Sequence, residues 1–388
     1  MSRTFEEDPL SEVDPVHDAL ERLEWAEGKH EPTPVGRWRA TTRRTALTGA
    51  AGGIAAAMLA ACGASKPGKA TGNAVAEQRG GGVFAQSSKL NFVLVNHATT
   101  NPFFVPTKYG AEDACKLLGC SYRWTGSESS NVPEMVNAMN AALKGGADGI
   151  GVSLIDPDAF NAPTDAALKA NIPVVAYNSD TPLSNRLSYI GQDQFLSGLE
   201  MGMRIIDLVG SGHVALFIAT PGAANMQPRI DGVLDVLKKS GTGITPHTVG
   251  TGVAVPAELE VIDAYAAAHP ETVGYFAADG GSTQCVAQTI QKYGLRAKGV
   301  KGGGYDLTPL TQRLLAADQI DFTIDQQPYL QGFLPILQMF TCRASGGLSG
   351  IADVNTGLKF LDKTSVAYYN STTSRYEGSS SAAGVAKR

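Results

Sequence analysis

Residues 89–118, "KLNFVLVNHATTNPFFVPTKYGAEDACKLL", decide the fold. The run opens on a short apolar segment over 91–96 with the length and β-branched content of a buried strand. It closes on a helical pattern over 103–118. Between them lies "HATTNPFFVP", residues 97–106, which sets Asn, Pro and two adjacent aromatics in the turn where strand hands over to helix. Strand, polar-aromatic turn and helix in that order make the first half of a βα unit.

The alternation continues outward. Strand-like runs over 120–125, 149–154 and 172–178 are separated by helical patterns over 133–145 and 159–170. The pattern then repeats. "HVALFIA", "TPHTVGTG", "TVGYFAA" and "AKGVKGGGY" alternate with helical patterns over 223–239, 257–268, 282–293 and 309–316. A further strand, "DFTIDQ", precedes a last long helix over 329–343. Successive βα units build a parallel sheet with helices on both faces, and two sets of them imply an α/β chain of two doubly wound lobes. Open sheets of this kind bind ligands at the carboxyl ends of their strands, so two facing sheets create a cleft between lobes. The tail after Asp362 grows more polar, and 371–388 reads as flexible.

Of 32 bases and 37 acids, three and ten fall in residues 1–35, and four and none in 36–61. The remaining 25 bases and 27 acids leave a near-neutral body with no electrostatic footprint for nucleic acid. The basic stretch reads as an address. In "TTRRTALTGAAGGIAAAMLAACG", paired Arg43 and Arg44 precede an uncharged run that ends at Leu59-Ala60-Ala61-Cys62. It resembles a twin-arginine export signal ending in a lipobox, with Ala46 where such signals usually carry Phe. The competing reading is a transmembrane helix, but a short run of Ala, Gly and Thr inserts weakly. The signal reading makes Cys62 the lipidated N-terminus of an exported, membrane-anchored protein. The acidic stretch ahead of it, with "DPVHDALERLEWAEG", reads as a removed leader or as a short chaperone-binding helix.

Four cysteines follow. Cys115 and Cys120 flank a helix end and are close enough to pair, and Cys285 and Cys342 either pair or stand as thiols. Buried thiols are the simpler expectation for all four. No zinc spacing occurs and the six histidines do not cluster, so no metal or cofactor is implied. An enzyme on the same architecture is disfavoured: no nucleophile–base pair, G-x-G-x-x-G fingerprint or P-loop is evident.

At the presumed strand ends stand Asn101, Phe103 and Phe104, then "YNSDTP" with Asn178 and Asp180. The second set supplies Arg229 in "ATPGAANMQPRIDG", Asp279 in "AADGG", Asp306 in "GYDLTP" and Gln326 in "TIDQQP". Amides, carboxylates and a guanidinium match hydroxyls that both donate and accept, while aromatic rings pack on C–H faces. The chemistry suits a neutral polyhydroxylated molecule. Each residue also has a plainer reading. Asn101 shapes a turn, Asp279 and Asp306 cap the helices that follow, Arg229 pairs on the surface with Asp231 or Asp235, and Phe104 is core.

From Lys89 to Asp362 the ordered set "NPFF", "IPVVAYNSD", "YIGQD", "RIDG", "FAADG", "GGGYDLTP" and "TIDQQP" resembles the ribose-binding type of periplasmic binding protein. Such proteins serve sugar importers of the ABC class and have the type I two-lobed fold. The resemblance implies a first lobe over 89–192 and 327–355 and a second over 193–326 and 356–370. A leader and signal over 1–61 and a tether over 62–88 would precede them. It aligns Asn101, Phe103 and Phe104 with the family's amide and stacking rings, and Asn178 with an aspartate. Arg229 falls on a sugar-binding arginine, Asp279 on an asparagine, Asp306 on an aspartate and Gln326 on a glutamine beside the hinge. Ser179 stands where the ribose binder has a second arginine, and Val253 lies near the family's opposing ring. With Asp180 and His97 close by, a polyol, another monosaccharide or an inositol fits as well as ribose. The implied partners are the sugar or polyol, an ABC permease with its ATPase, and the membrane through the lipid; a monomer is expected. The alternative is a sensor that feeds a chemoreceptor or kinase.

Overall fold

The computed structural model describes residues 89–181 and 183–388. The leader, the export signal, Cys62 and the tether therefore lie outside the described residues.

The first lobe is built from β1 (Asn91–Asn96), α1 (Val105–Leu118), β2 (Ser121–Gly126), α2 (Val132–Lys144), β3 (Gly149–Val152), α3 (Asn161–Lys169), β4 (Val174–Tyr177) and β5 (Ser188–Gly191). The second runs through α4 (Gln194–Val209), β6 (Ser211–Ile218), α5 (Gln227–Lys239), β7 (Gly243–Gly250), α6 (Val255–Ala268), β8 (Thr272–Ala277), α7 (Gly280–Lys292), β9 (Lys301–Tyr305), α8 (Pro309–Ala316) and β10 (Phe322–Asp325). The chain then returns through α9 (Leu330–Ala344) and β11 (Val354–Asn355), and crosses back to β12 (Lys359–Leu361). It ends in α10 (Val366–Ser371) and the pair β13 (Thr372–Ser374) and β14 (Val385–Lys387).

Strand order is β11-β5-β4-β3-β1-β2 in one sheet and β12-β10-β9-β8-β6-β7 in the other. The core strands are parallel, and only β12 joins its sheet antiparallel. In each lobe the first and second strands lie on one side of the third, which puts the topological switch at the first strand's carboxyl end. Each sheet buries an apolar layer on both faces. The sequence explains the helix starts: α1, α2, α5, α6 and α8 each carry Pro in the first turn, where the missing N–H costs nothing.

The sequence pattern misses β5 and α4. β5 is only four residues long, and α4 contains Gly198 and Gly202, which weaken a helical reading. The same glycines are there for packing. A Cβ on Gly232 of α5 would stand 2.7 Å from the Leu199 amide nitrogen of α4, so only hydrogen lets these helices close. In the first lobe, Gly332 of α9 meets the α1 backbone at Thr107 and Ala111 in the same way.

Cys285 lies in the core of the second lobe and Cys342 on α9 of the first, so the alternative in which they pair is excluded by position, and all four described cysteines are free thiols, the simpler of the two expectations. One expectation needs correction. The tail over 371–388, expected to be flexible, instead carries the β13–β14 hairpin, with Arg375 buried against the first lobe. The reason is electrostatic: its guanidinium meets Glu112 at 2.6 Å and Asp113 at 2.9 Å on α1. Among the described residues no helix is long and apolar enough to cross a membrane.

Candidate functional site

The turn after β1 has the predicted character. Asn101 caps a 3₁₀ turn, Pro102–Phe104, by accepting from the Phe103 amide at 2.9 Å, so its turn-shaping role is real. Phe103 is half-buried, whereas Phe104 is only 2 % exposed. Phe104 packs edge-on to Phe103 and His97, with centroids 4.8 and 5.3 Å away, and 6.0 Å from Trp124. Phe104 thus backs Phe103, which keeps a free face. His97 holds the Ser153 hydroxyl at 2.9 Å, and burial pushes its pKa down to about 4, so it is neutral at physiological pH.

Three of the predicted residues meet in one hydrogen-bonded chain that crosses between lobes. Asn178, after β4, donates its side-chain amide to Gln326 Oε1 at 3.4 Å and to Gln331 Oε1 at 3.0 Å. Gln326, after β10, donates in turn to Asp306 Oδ1 at 2.8 Å. Asp306, after β9, is 8 % exposed, and burial raises its pKa to about 6. It does not cap α8, since Thr308 does.

Arg229 is 3 % exposed and makes no surface pair with Asp231 or Asp235. Its Nε donates to Gln194 at 2.6 Å, and its two amino groups donate to the Ala278 carbonyl at 2.7 Å and to Gln192 at 3.2 Å. The guanidinium lies 3.9 Å from the Tyr305 ring centroid. Its charge pulls Asp279 and Asp306 back toward ordinary carboxylate values, against the burial that raises both. Asp279 caps α7 through Ser282 N at 2.8 Å and also accepts from Ala219 N at 3.0 Å, so capping and cleft position coexist. A Cβ on Gly280 would stand 2.8 Å from Asp306 Oδ2, which puts the loops of Asp279 and Asp306 side by side.

Asp180 is not brought into this chain. Both its oxygens are held by Arg186, at 2.9 and 2.5 Å.

Sequence reasoning overlooked Gln192, Gln194, Gln331 and Glu258. Gln192 lies within the "YIGQD" motif and Gln194 follows it directly, so the motif does signal them. Glu258 carries no such signal. It is 2 % exposed, its Oε2 has no hydrogen-bond partner, and burial followed by the Asp279 charge lifts its pKa to about 8. A neutral carboxyl beside a carboxylate adds a donor to the second lobe. Among the described residues no group of three metal-ligating side chains forms.

The family model described as "Periplasmic binding protein domain" matches residues 92–342. The chain is 44 % identical over 365 residues to the xylose/arabinose-binding protein XylF of Sulfolobus acidocaldarius, covering 88 % of this chain and 90 % of that protein. It is 24 % identical over 251 residues to the ribose import binding protein RbsB of Escherichia coli, covering 62 % and 80 %. Among solved structures it is similar to a solute-binding protein of an ABC transporter from Burkholderia graminis, in complex with D-arabinose. There the TM-score is 0.67 at 25 % identity, over 71 % of this chain and 96 % of that one. The glucose-galactose binding protein GanP of Geobacillus stearothermophilus gives a TM-score of 0.65, also at 25 % identity, over 72 % and 99 %.

Proposed function

The chain belongs to the periplasmic binding protein domain family, and from that premise we propose that it is the substrate-binding component of an ABC sugar importer. It captures a monosaccharide, of the pentose class named for its relatives, between its two lobes and delivers it to a permease driven by an ATPase. Its work is binding, not catalysis. The observation that carries this reading is the chain Asn178–Gln326–Asp306, in which one hinge amide holds a polar group of each lobe.

Sugar hydroxyls both donate and accept. Asp306 and Asp279 supply acceptors, Arg229 supplies the N–H donors that its three protein bonds leave, Asn178 offers its side-chain oxygen, and Phe103 supplies the apolar platform. Ligand that bridges the lobes is bound by both only when they are together, so occupancy shifts the population toward the closed form. The name of the Escherichia coli relative favours import over sensing. Export by the twin-arginine signal, lipid attachment at Cys62 and a monomeric state complete the proposal.

The test is a thermal-shift and calorimetric screen of the protein against pentoses, hexoses, polyols and inositols. A ligand at a hundredfold excess over its Kd stabilises the folded state by about 2.7 kcal/mol. A stereochemically narrow set, xylose or arabinose among it, is expected to shift the midpoint. Shifts from amino acids or nucleosides alone would overturn the sugar reading.

A further inference from the structure

Beside the candidate site lies a second, partly open cavity of about 420 Å³, roofed in part by the protein's own C-terminal segment. The segment is anchored at both ends. Val366 is buried in the core of the second lobe, with Tyr369 packed against that core. A few residues later Arg375 is fixed to the first lobe, through Glu112 and Asp113 and over the Tyr109 ring at 4.2 Å. Tyr376 then packs edge-on against Tyr329 at 4.8 Å. The strap therefore spans the lobes and narrows to a partly covered chamber what would otherwise be an open groove.

The lining has a definite chemistry. Phe103 and Asp306 belong to this cavity as well as to the candidate site, so the two spaces adjoin. Tyr369 and Tyr376 add aromatic surface, and Asp325 adds a carboxylate whose pKa burial raises. Gln312, in the first turns of α8, also lines the cavity. It is 6 % exposed, and its Nε2 has no hydrogen-bond partner in the protein. A buried amide donor without an acceptor costs about 1–3 kcal/mol, and native proteins keep few of them. The nitrogen itself is covered, so the Gln312 amide must turn toward the cavity before an acceptor arriving with a ligand removes that cost. The lining sets three carboxylates, Asp306, Asp325 and Glu377, against two cations, Lys359 and Arg388, so it has no excess of positive charge to draw an anion and suits a neutral ligand. Aromatic faces with a few polar groups suit a second pyranose or furanose ring, and the volume lies within the usual range for small-molecule sites.

We propose that this cavity is a second sugar-unit subsite built by the C-terminal strap, and that the protein takes a neutral two-unit saccharide with one ring on Phe103 and the next under Tyr376. The proposal rests on the sugar-binding reading above.

The experiment is calorimetric titration of the full protein with xylose, arabinose, xylobiose, arabinobiose, cellobiose and maltose. One disaccharide is expected to bind at least tenfold more tightly than its own monosaccharide. Gln312→Leu and Tyr376→Ala should each erase that advantage while leaving monosaccharide affinity within about twofold. Tyr376 is exposed, so its variant keeps the core intact and covers the case in which Gln312→Leu fails to fold. Monosaccharide binding with no gain from any of the four disaccharides, or an advantage that survives both variants, would overturn the subsite and leave the receptor reading standing. Binding of neither class would remove both.

Discussion

Arg229→Met tests the electrostatic frame of the site directly. Methionine keeps most of the apolar length but removes the charge and every donor. Three acceptors lose their partner: Gln194 Oε1 at 2.6 Å, the Ala278 carbonyl at 2.7 Å and Gln192 Oε1 at 3.2 Å. The contact with the Tyr305 ring at 3.9 Å goes as well. Bonds to a charged donor contribute about 1.5–3 kcal/mol each, but the three share one cation and the glutamines can turn, so they do not add. Removing one partner of a buried charge network costs about 3–5 kcal/mol, and that is the loss expected here. Against a total stability of about 5–15 kcal/mol it is large. Urea unfolding followed by circular dichroism measures it as a fall in midpoint. A second signature separates charge from packing. Without the guanidinium, the Asp306 pKa should rise from about 6, because the charge that lowers it is gone. A loss below about 1 kcal/mol, with the Asp306 titration unmoved, would refute the claim that Arg229 organises these acids.

Glu258 has a folded pKa of about 8 against an ordinary 4.5, so the folded state holds a proton that the unfolded chain releases. The Glu258 contribution is therefore fully present below about pH 4.5 and is lost as pH rises toward 8, by at most about 1.4 kcal/mol per unit; the difference in thermal midpoint between the protein and Glu258→Gln across that range should show it. Pentose affinity should fall as pH drops below about 6, because hydroxyl donors need Asp306 as carboxylate, by up to about tenfold per unit. Calorimetry at several pH values reads this, and an Asp306→Asn variant should lose the slope. Gly232→Ala forces a Cβ against the α4 backbone and should cost about 1–3 kcal/mol or more in urea unfolding; a neutral result would mean the helices slide apart freely. Cys62→Ala should release the exported protein from the membrane fraction, and continued attachment would refute lipid anchoring.

Most of the fold was legible because buried parallel strands are apolar runs and their helices start at Pro or a capping side chain. β1 was read to the residue, and α8 likewise, where Thr308 and Pro309 mark the start. β5 and α4 escaped because a four-residue strand has no period, and because Gly198 and Gly202 serve helix–helix contact at the expense of propensity. The tail escaped for a different reason: its order depends on Arg375 finding Glu112 and Asp113, more than 260 positions earlier in the chain. No local pattern encodes such a pair. At the site, residues at strand ends were found, since topology places them. Glu258 was not, because a lone glutamate in the first turn of a helix ordinarily reads as favourable to the helix dipole.

The two lobes are alike down to the residues that meet the hinge. In sheet order β4 corresponds to β9 and β5 to β10. β4 ends on buried Tyr177 followed by Asn178, and β9 ends on buried Tyr305 followed by Asp306. Both following residues take a left-handed backbone, with φ of 64° and 70°. Both donate their amide to an isoleucine carbonyl on the neighbouring strand, Ile190 and Ile324. Asn and Asp are among the few side chains that tolerate this conformation, and it costs less for them than for a branched residue. The repeated geometry turns each polar group away from its own strand toward Gln326, which joins the two. One carries an amide and the other a carboxylate, so the lobes offer different chemistry from equivalent positions. Local strain at a matched pair of strand ends thus gives the cleft two opposed polar groups on rigid supports, and the hinge amide between them couples the distance of one lobe from the other to the hydrogen bonds that a bound hydroxyl would enter.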